Sequence, residues 1–271
     1  MLAAAAVGAA LTLASPASAA PYNQLVVFGD SFSDTGNAAT AIPGVAPSPP
    51  YFANRFSNGP NYVDRIGTSL GLPSTASLQG GTDYAYAAAT TSATQPSPLG
   101  AQAVPSLAAQ VATYLASVGG VANPNALYVV QGGTNDVLGG LLTLKGTNGT
   151  GAAATLDTIA KTGAANIVGI EGQLAAAGGR NFLTVILPDL ALLPVTRASG
   201  FSGLANEAAL AGTAAATFNN AVLTGLGTAP TTSGSGLARG RRGSIWSPSS
   251  ASPATAPATA PQLGRRRPDA P

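Results

Sequence analysis

Three short stretches of this chain read as almost continuous apolar runs, and each ends in a small or polar turn. Gln24-Leu25-Val26-Val27-Phe28 runs into Gly29, Ala126-Leu127-Tyr128-Val129-Val130 into Gln131-Gly132-Gly133, and Asn181 to Leu187 into Pro188. Runs without alternation suit strands buried on both faces. Alanine-rich stretches of helical period lie between and beyond them. Ser106 caps one helix, with Leu107, Val111, Leu115 and Val118 on one face and Gly119 as its stop. A second is expected from about Ala152 to Ala177, with Leu156, Ile159, Ile167, Ile170 and Leu174 inward, and a third from about Gly203 to Leu226. Pro60 to Leu70 forms a shorter one, with Asn58 or Gly59 as the expected cap. Strands alternating with helices predict an α/β fold, a parallel sheet with helices on both faces. Such sheets bind ligands at the carboxyl ends of their strands. The residues just after each strand therefore hold the candidate chemistry.

Composition narrows that chemistry. The 271 residues include no cysteine and no histidine. Disulfides, thiolate metal sites and Cys nucleophiles are excluded, and the usual zinc ligand and general base are missing. Residues 1–238 carry six basic and nine acidic side chains, and residues 239–271 carry six basic and one acidic. The net charge of +2 thus arises in the tail. The body has no basic stripe suited to nucleic acid.

The two ends differ from the body. Leu2 to Leu13 is apolar and is followed by Pro16 and Ala17-Ser18-Ala19, which predicts an export signal over 1–19, cleaved after Ala19. Secretion, with no stable membrane span in the mature chain, is the corresponding expectation. Apolar periodicity ends near Thr228, and Pro, Ser, Ala and Arg dominate beyond it. The expected organisation is a single domain over 20–228 and a disordered tail over 229–271.

Four segments fall where the sheet argument directs attention. Gly29-Asp30-Ser31-Phe32-Ser33-Asp34-Thr35-Gly36-Asn37 follows the first strand and offers a serine at a strand-to-helix turn, where helix N-termini stabilise negative charge. Arg55-Phe56-Ser57-Asn58-Gly59-Pro60-Asn61-Tyr62-Val63-Asp64 feeds a capped helix and taken alone reads as structural. Gly80 to Thr90 is a loop of small residues, whose backbone N–H groups can approach an oxyanion closely. Gln131-Gly132-Gly133-Thr134-Asn135-Asp136 places an asparagine amide after the second strand; taken alone it reads as an Asx-capped turn.

In their order and wording these segments resemble the GDSL, or SGNH, hydrolases, especially the secreted and autotransporter-type bacterial esterases. Leu187-Pro188-Asp189-Leu190 resembles the segment after a later core strand. The resemblance covers about Leu25 to Leu226. It implies a three-layer, flavodoxin-like fold with a central parallel sheet. It implies Ser31 as the nucleophile of an acyl-enzyme. Its oxyanion hole would be the N–H of Ser31, a backbone N–H near Ala87, and the amide of Asn135, with Gly133 in the site loop. Glycine stands in similar members where this chain has Ala87 or Ala88, so alanine would hinder the site if positive φ is needed. No metal or organic cofactor is implied. The partner would be a small-molecule ester or lipid, and the protein a monomer.

The family's final block, an Asp and a His about three residues apart, has no counterpart here. The corresponding expectation is that the C-terminal part of the fold was lost, through a shifted reading frame beyond Thr228. The resemblance implies hydrolysis of small to medium acyl esters, impaired by the missing imidazole. An inactive ester- or lipid-binding remnant and an acyltransferase are the alternatives.

Overall fold

The computed structural model describes residues 22–42, 50–98, 104–198 and 200–227, and the backbone of 238–240 and 243–246. The expected export signal lies outside the described residues. Strands β1 (Gln24–Phe28), β2 (Ala126–Gln131) and β3 (Asn181–Val185) are the three expected runs. They pair in parallel as neighbours, with Phe28 opposite Val130 and Val130 opposite Thr184. Residues 82–86 line the outer edge of β1: Val27 N–H donates to the Thr82 carbonyl at 3.0 Å, and Tyr84 N–H to the Val27 carbonyl at 2.8 Å.

The helices are α1 (Asn37–Ala41), α2 (Tyr62–Leu70), α3 (Leu107–Ser117), α4 (Thr134–Thr143), α5 (Ala152–Ala176), α6 (Pro194–Arg197) and α7 (Glu207–Gly225). Ser106 caps α3 as expected, accepting from Ala109 N–H at 3.3 Å. The cap of α2 is Asn61 rather than Asn58 or Gly59. Asn61 Oδ1 accepts from Asp64 N–H while Asp64 accepts from Asn61 N–H, both at 3.0 Å, so two otherwise unpaired donors are satisfied reciprocally. Helix α7 starts at Glu207, later than expected, because Glu207 Oε2 accepts from the N–H and hydroxyl of Ser202 and holds the preceding turn.

Alternation along the strands divides the core. Val26, Phe28, Tyr128, Val130 and Phe182 face α3, α5 and α7. Rings stack edge to face or offset from Phe28 through Tyr114 and Tyr128 to Phe182, with centroids 5.6–5.9 Å apart. Leu25, Val27, Leu127, Val129 and Val185 form the other face, packed with Val63 and Ile66 of α2. Sheet and flanking helices make the three layers.

Two short segments depart from the structureless tail expected after residue 228. β4 (Ala238–Gly240) and β5 (Gly243–Trp246) complete a five-stranded sheet of order β1-β2-β3-β5-β4. β5 runs parallel to β3, with Phe182 opposite Gly243 and Val185 opposite Trp246, and β4 is antiparallel to β5. The physical reason is the free edge of β3, whose backbone groups need partners. Gly-Ser-Ile-Trp holds a β-branched and an aromatic residue, too short a run to alter a composition dominated by Pro, Ser and Arg. The rest of 229–271 lies outside the described residues.

Candidate functional site

Because β1 and β2 run in parallel, the turns that follow them emerge at one end of the sheet. Gly29 is the first residue past β1. Its N–H donates to Gln110 Oε1 and its carbonyl accepts from Gln110 Nε2, both at 2.9 Å, so α3 clamps the strand end. A side chain at Gly29 would place Cβ 2.6 Å from Ser33 Oγ. The Asp30 carbonyl accepts from the N–H groups of Ser33 and Asp34, each at 3.0 Å, which closes a tight turn around Ser31.

Nearly every polar group in that turn is committed. Asp30 Oδ1 accepts from Phe32 N–H at 3.0 Å. Ser33 Oγ bonds to Gln131 Oε1 at 2.9 Å and to the Tyr62 hydroxyl at 2.6 Å. Asp34 accepts four backbone N–H groups, from Gly36, Asn37, Ala38 and Ala87, at 2.7–3.1 Å. Ser31 is the exception. It is half-buried, and neither its hydroxyl nor its N–H has a bond partner among the described residues.

The β2 turn leads directly into α4, a helix where the sequence suggested only a capped turn. Gly133 stands at φ 112°, and a Cβ there would fall 2.4 Å from the Phe218 ring. Both constraints demand glycine. Asn135 and Asp136 are buried in the first turn of α4. Asn135 Nδ2 donates one hydrogen to the Ala89 carbonyl at 2.9 Å. Asp136 Oδ2 accepts from Thr91 N–H at 3.0 Å, and Oδ1 from the Thr91 hydroxyl.

Those bonds hold the third loop against the other two. Ala87 N–H is committed to Asp34 Oδ2 at 2.9 Å, so the residue expected to face an oxyanion holds the serine turn instead. Its neighbour Ala88 sits at φ 64° in a turn that Ala89 N–H closes by donating to the Tyr86 carbonyl at 3.1 Å. That position ordinarily belongs to glycine. Ala88 N–H has no bond partner among the described residues. The expectation that positive φ would matter if alanine replaced the family's glycine thus meets a residue that adopts it.

The Arg55–Asp64 segment supports the serine turn from the other side. Arg55 pairs with Asp64 through two hydrogen bonds of 2.8 and 3.1 Å, and this pairing together with the bonds from Ser74 and Asn61 holds the Asp64 carboxyl below its usual range against the effect of burial. Asn61 Nδ2 then donates to the Asp34 carbonyl at 3.3 Å. A segment that reads as structural therefore braces the site. Gln131, passed over in the sequence reading, bridges the first two turns: its Oε1 also accepts from Asp30 N–H at 3.3 Å. Its place as the last residue of a buried run was the available signal.

Two buried carboxyls lie beneath these turns. Burial pushes Asp30 up to about 7, and the charge of Asp136 adds to the rise. Burial pushes Asp136 up to about 6 against the bonds from Thr91. Asp30 Oδ2 is buried without a partner, as suits a neutral carboxyl better than a carboxylate. A carboxyl raised in this way is a stronger base than an ordinary carboxylate, but Asp30 makes no hydrogen bond to the Ser31 hydroxyl among the described residues and so is not placed to take its proton. Among the described residues no cluster of His, Cys, Asp or Glu could hold a metal ion. No described helix is long and apolar enough to cross a membrane.

Beside the serine turn lies a cleft of about 340 Å³, on the α2 side of the sheet. Its lining includes Phe32, Phe56, Gln131, Val185, Ile186 and Leu193.

The family described as GDSL-like Lipase/Acylhydrolase matches residues 25–239. A phosphatidylcholine-sterol acyltransferase of Aeromonas hydrophila is 40% identical over 80 residues, which are 28% of this chain and 24% of that protein. Lipase 1 of Photorhabdus luminescens is 35% identical over 129 residues, 47% of this chain and 18% of that protein. Each alignment thus spans less than a quarter of the relative it matches.

Proposed function

The chain belongs to the GDSL-like lipase/acylhydrolase family, and on that premise we propose that it acts on carboxylic esters through an acyl-enzyme formed at Ser31. The observation that carries this reading is the isolation of Ser31. Among the described residues, its side chain alone of the polar ones in the serine turn makes no hydrogen bond, at the carboxyl end of a parallel sheet.

In the proposed step, Ser31 Oγ forms a bond to the acyl carbon and passes its proton to water. The carbonyl oxygen takes the electron pair as an oxyanion. Collapse of this intermediate breaks the bond from the acyl carbon to the ester oxygen, which takes up a proton from water and leaves as the alcohol; a second water then attacks the acyl carbon, and Ser31 Oγ leaves and is reprotonated as the acid is released. Three donors suit the oxyanion: the free N–H of Ser31, the free N–H of Ala88, and the second hydrogen of the Asn135 amide. Donors of this kind are each worth about 2.7–4 kcal/mol where one has been removed from an enzyme of another fold. Ala88 replaces Ala87 in this role because Ala87 N–H is bonded to Asp34.

The proton acceptor is the weak part of the machinery. The sequence has no histidine, and Asp30, which burial pushes up to about 7, makes no hydrogen bond to the Ser31 hydroxyl among the described residues. A serine hydroxyl is a poor nucleophile without an adjacent base. This absence favours a second reading, a protein that binds esters or lipids without turning them over. The acyltransferase relative raises the further possibility that an alcohol replaces water as acyl acceptor. Secretion belongs to the same proposal and rests on the apolar Leu2–Leu13 run followed by Ala17-Ser18-Ala19; sequencing the N-terminus of protein recovered from culture medium tests it.

The functional test is covalent trapping. A fluorophosphonate should add to the chain once, and peptide mass analysis should place it on Ser31. The Ser31→Ala variant should take up none. Labelling at another residue, or equal uptake by both proteins, would overturn the assignment.

A further inference from the structure

The two branches of the Gln131 amide are differently engaged. Gln131 is the last residue of β2, on the face of Leu127 and Val129 that packs toward α2, and it is 2% exposed. Its Oε1 accepts from Asp30 N–H at 3.3 Å and from Ser33 Oγ at 2.9 Å. A backbone N–H can only donate, so this branch is the oxygen and the other is the NH₂ group. That NH₂ group has no hydrogen-bond partner among the described residues. The described side-chain atoms that are sealed from solvent without a partner are Asp30 Oδ2, Thr134 Oγ1 and Glu207 Oε1. Gln131 Nε2 is not one of them, so it opens on space, and Gln131 lines the cleft beside the serine turn. The other polar groups there are engaged. Ser57 Oγ donates to the Gly59 carbonyl at 2.6 Å, Asn61 bonds to Asp64 N–H and the Asp34 carbonyl, and the Tyr62 hydroxyl pairs with Ser33 Oγ. A wholly hydrocarbon occupant would strip water from Nε2 and give nothing back, whereas an acceptor oxygen at that point takes the place of the water.

From this free donor we infer that Gln131 is a specificity-determining residue, whose Nε2 donates to a second acceptor oxygen of the substrate, apart from the reacting carbonyl. The substrate class then narrows to esters that carry an ether, oxo or further ester oxygen close to the bond that breaks. This rests on Ser31 as the reacting residue. Asp30 and Ser33, both held by Gln131 Oε1, bracket Ser31, so an oxygen taken by Nε2 lies a few bonds from a carbonyl at Ser31 Oγ. A hydrogen bond made in place of an unpaired buried donor is worth about tenfold in affinity.

Two matched pairs of esters test it by equilibrium titration of the full chain, each pair exchanging one methylene for an ether oxygen. Methyl pentanoate against methyl methoxypropanoate probes the acid side, and butyl acetate against methoxyethyl acetate the alcohol side. Burial of apolar surface alone would favour the hydrocarbon member about fourfold, so the sign is decisive. The ether member should bind more tightly in at least one pair, and that pair tells which side of the ester carries the acceptor. Ser31→Ala, which cannot turn the esters over, should show the same preference. Gln131→Met, similar in length but with neither donor nor acceptor, should move the ratio about tenfold toward the hydrocarbon member. If that variant fails to fold for want of Oε1, the Gln131 side-chain amide protons of the native chain give the answer. Their resonances should move downfield with the ether ligand and not with its hydrocarbon partner. A hydrocarbon preference in both pairs, an unchanged ratio in folded Gln131→Met, or amide protons that respond alike to both members would overturn the inference. An ether preference without fluorophosphonate labelling of Ser31 would reject the esterase reading and keep the contact; labelling with a hydrocarbon preference in both pairs would do the reverse.

Discussion

Ala87 donates its amide hydrogen to Asp34 Oδ2 across 2.9 Å, joining the small-residue loop to the serine turn. The bond commits the Ala87 amide, while the next amide, that of Ala88, has no partner among the described residues. It also fixes the path of the chain through Ala88, which turns at φ 64° so that Ala89 N–H can close back on the Tyr86 carbonyl. Position and strain have a common origin.

That strain is measurable. An L-residue in the left-handed region costs about 1–2 kcal/mol, and glycine gives back about 0.4–1 kcal/mol through the greater freedom of its unfolded chain. Ala88→Gly should therefore stabilise the protein by about 0.5–1 kcal/mol and raise Tm by a few degrees. Ala87→Gly, where φ is not positive, should lower Tm instead. A fall in Tm for Ala88→Gly would show that its methyl group packs usefully enough to offset the strain.

Asp34 holds four amides with two oxygens. Asp34→Asn keeps an acceptor for Gly36 and Asn37 at Oδ1 but presents an NH₂ group to Ala38 and Ala87. Two amides would lose their acceptor, at about 1–3 kcal/mol for each that stays buried. Urea unfolding should show a loss of about 2–4 kcal/mol with an unchanged m-value. A loss under 0.5 kcal/mol would mean that water replaces the carboxylate and that the turn is less closed than its bonds imply.

The parallel sheet was legible because buried strands leave a periodicity that survives an alanine-rich composition. Phe28, Val130 and Leu187 end three such runs, the third outlasting its strand by two residues, and the candidate chemistry lies just past the first two. Helix α4 was not legible, because Thr134-Asn135-Asp136 is equally good turn chemistry and its helical character rests on packing: Gly139 abuts the Pro96 backbone and Gly140 the side chain of Ile159. The choice between Ala87 and Ala88 was closed to sequence, since it depends on a partner 53 residues away. β5 escaped notice because four residues carry too little pattern.

Gly133 should be the least replaceable residue of the site loops. Gly133→Ala imposes a left-handed φ on alanine and drives its Cβ into the Phe218 ring at 2.4 Å. Overpacking costs about 1–3 kcal/mol and the backbone about 1–2 more. Removing the ring as well, in Gly133→Ala/Phe218→Ala, should not restore stability, because it exchanges a clash for a cavity and leaves φ as it was. Circular dichroism melts of both variants beside the native chain test this; full recovery in the double variant would assign the whole cost to the clash.

Glu171 supplies a pH dependence away from the site. It is buried on α5 with its carboxylate accepting from the Thr184 hydroxyl, and burial pushes it up to about 7 from 4.5. Between those values the folded state holds a proton that the unfolded state has lost, so stability is fully present below about 4.5 and falls as pH rises through 7. The loss at pH 8 is up to about 3 kcal/mol by the size of the shift. Glu171→Gln should raise Tm at pH 8, change it little near pH 4.5, and flatten the slope between. Asp30 and Asp136, raised in the same sense, keep part of that slope in the variant. An unchanged Tm-against-pH curve would mean that Glu171 reaches solvent.

The absence of histidine invites a rescue experiment. In the proposed mechanism the proton of Ser31 Oγ has no strong acceptor at hand, while the oxyanion donors at Ser31, Ala88 and Asn135 stand ready. A general base contributes about 10²–10⁴-fold when a side chain holds it in place. Free imidazole lacks that placement and recovers only a small part of the effect, because effective molarities of positioned groups reach about 10⁵–10⁸ M. The chain alone should therefore hydrolyse a short activated ester very slowly. Added imidazole should raise the rate severalfold in proportion to its neutral form, so that the gain grows from pH 6 to pH 8. Imidazole also attacks activated esters unaided, and Ser31→Ala measures that contribution. The difference between the two proteins is the quantity of interest, and Tris at equal concentration controls for ionic effects. An equal gain in the native and Ser31→Ala proteins would place all of the chemistry in free solution and would favour a binding protein over an enzyme.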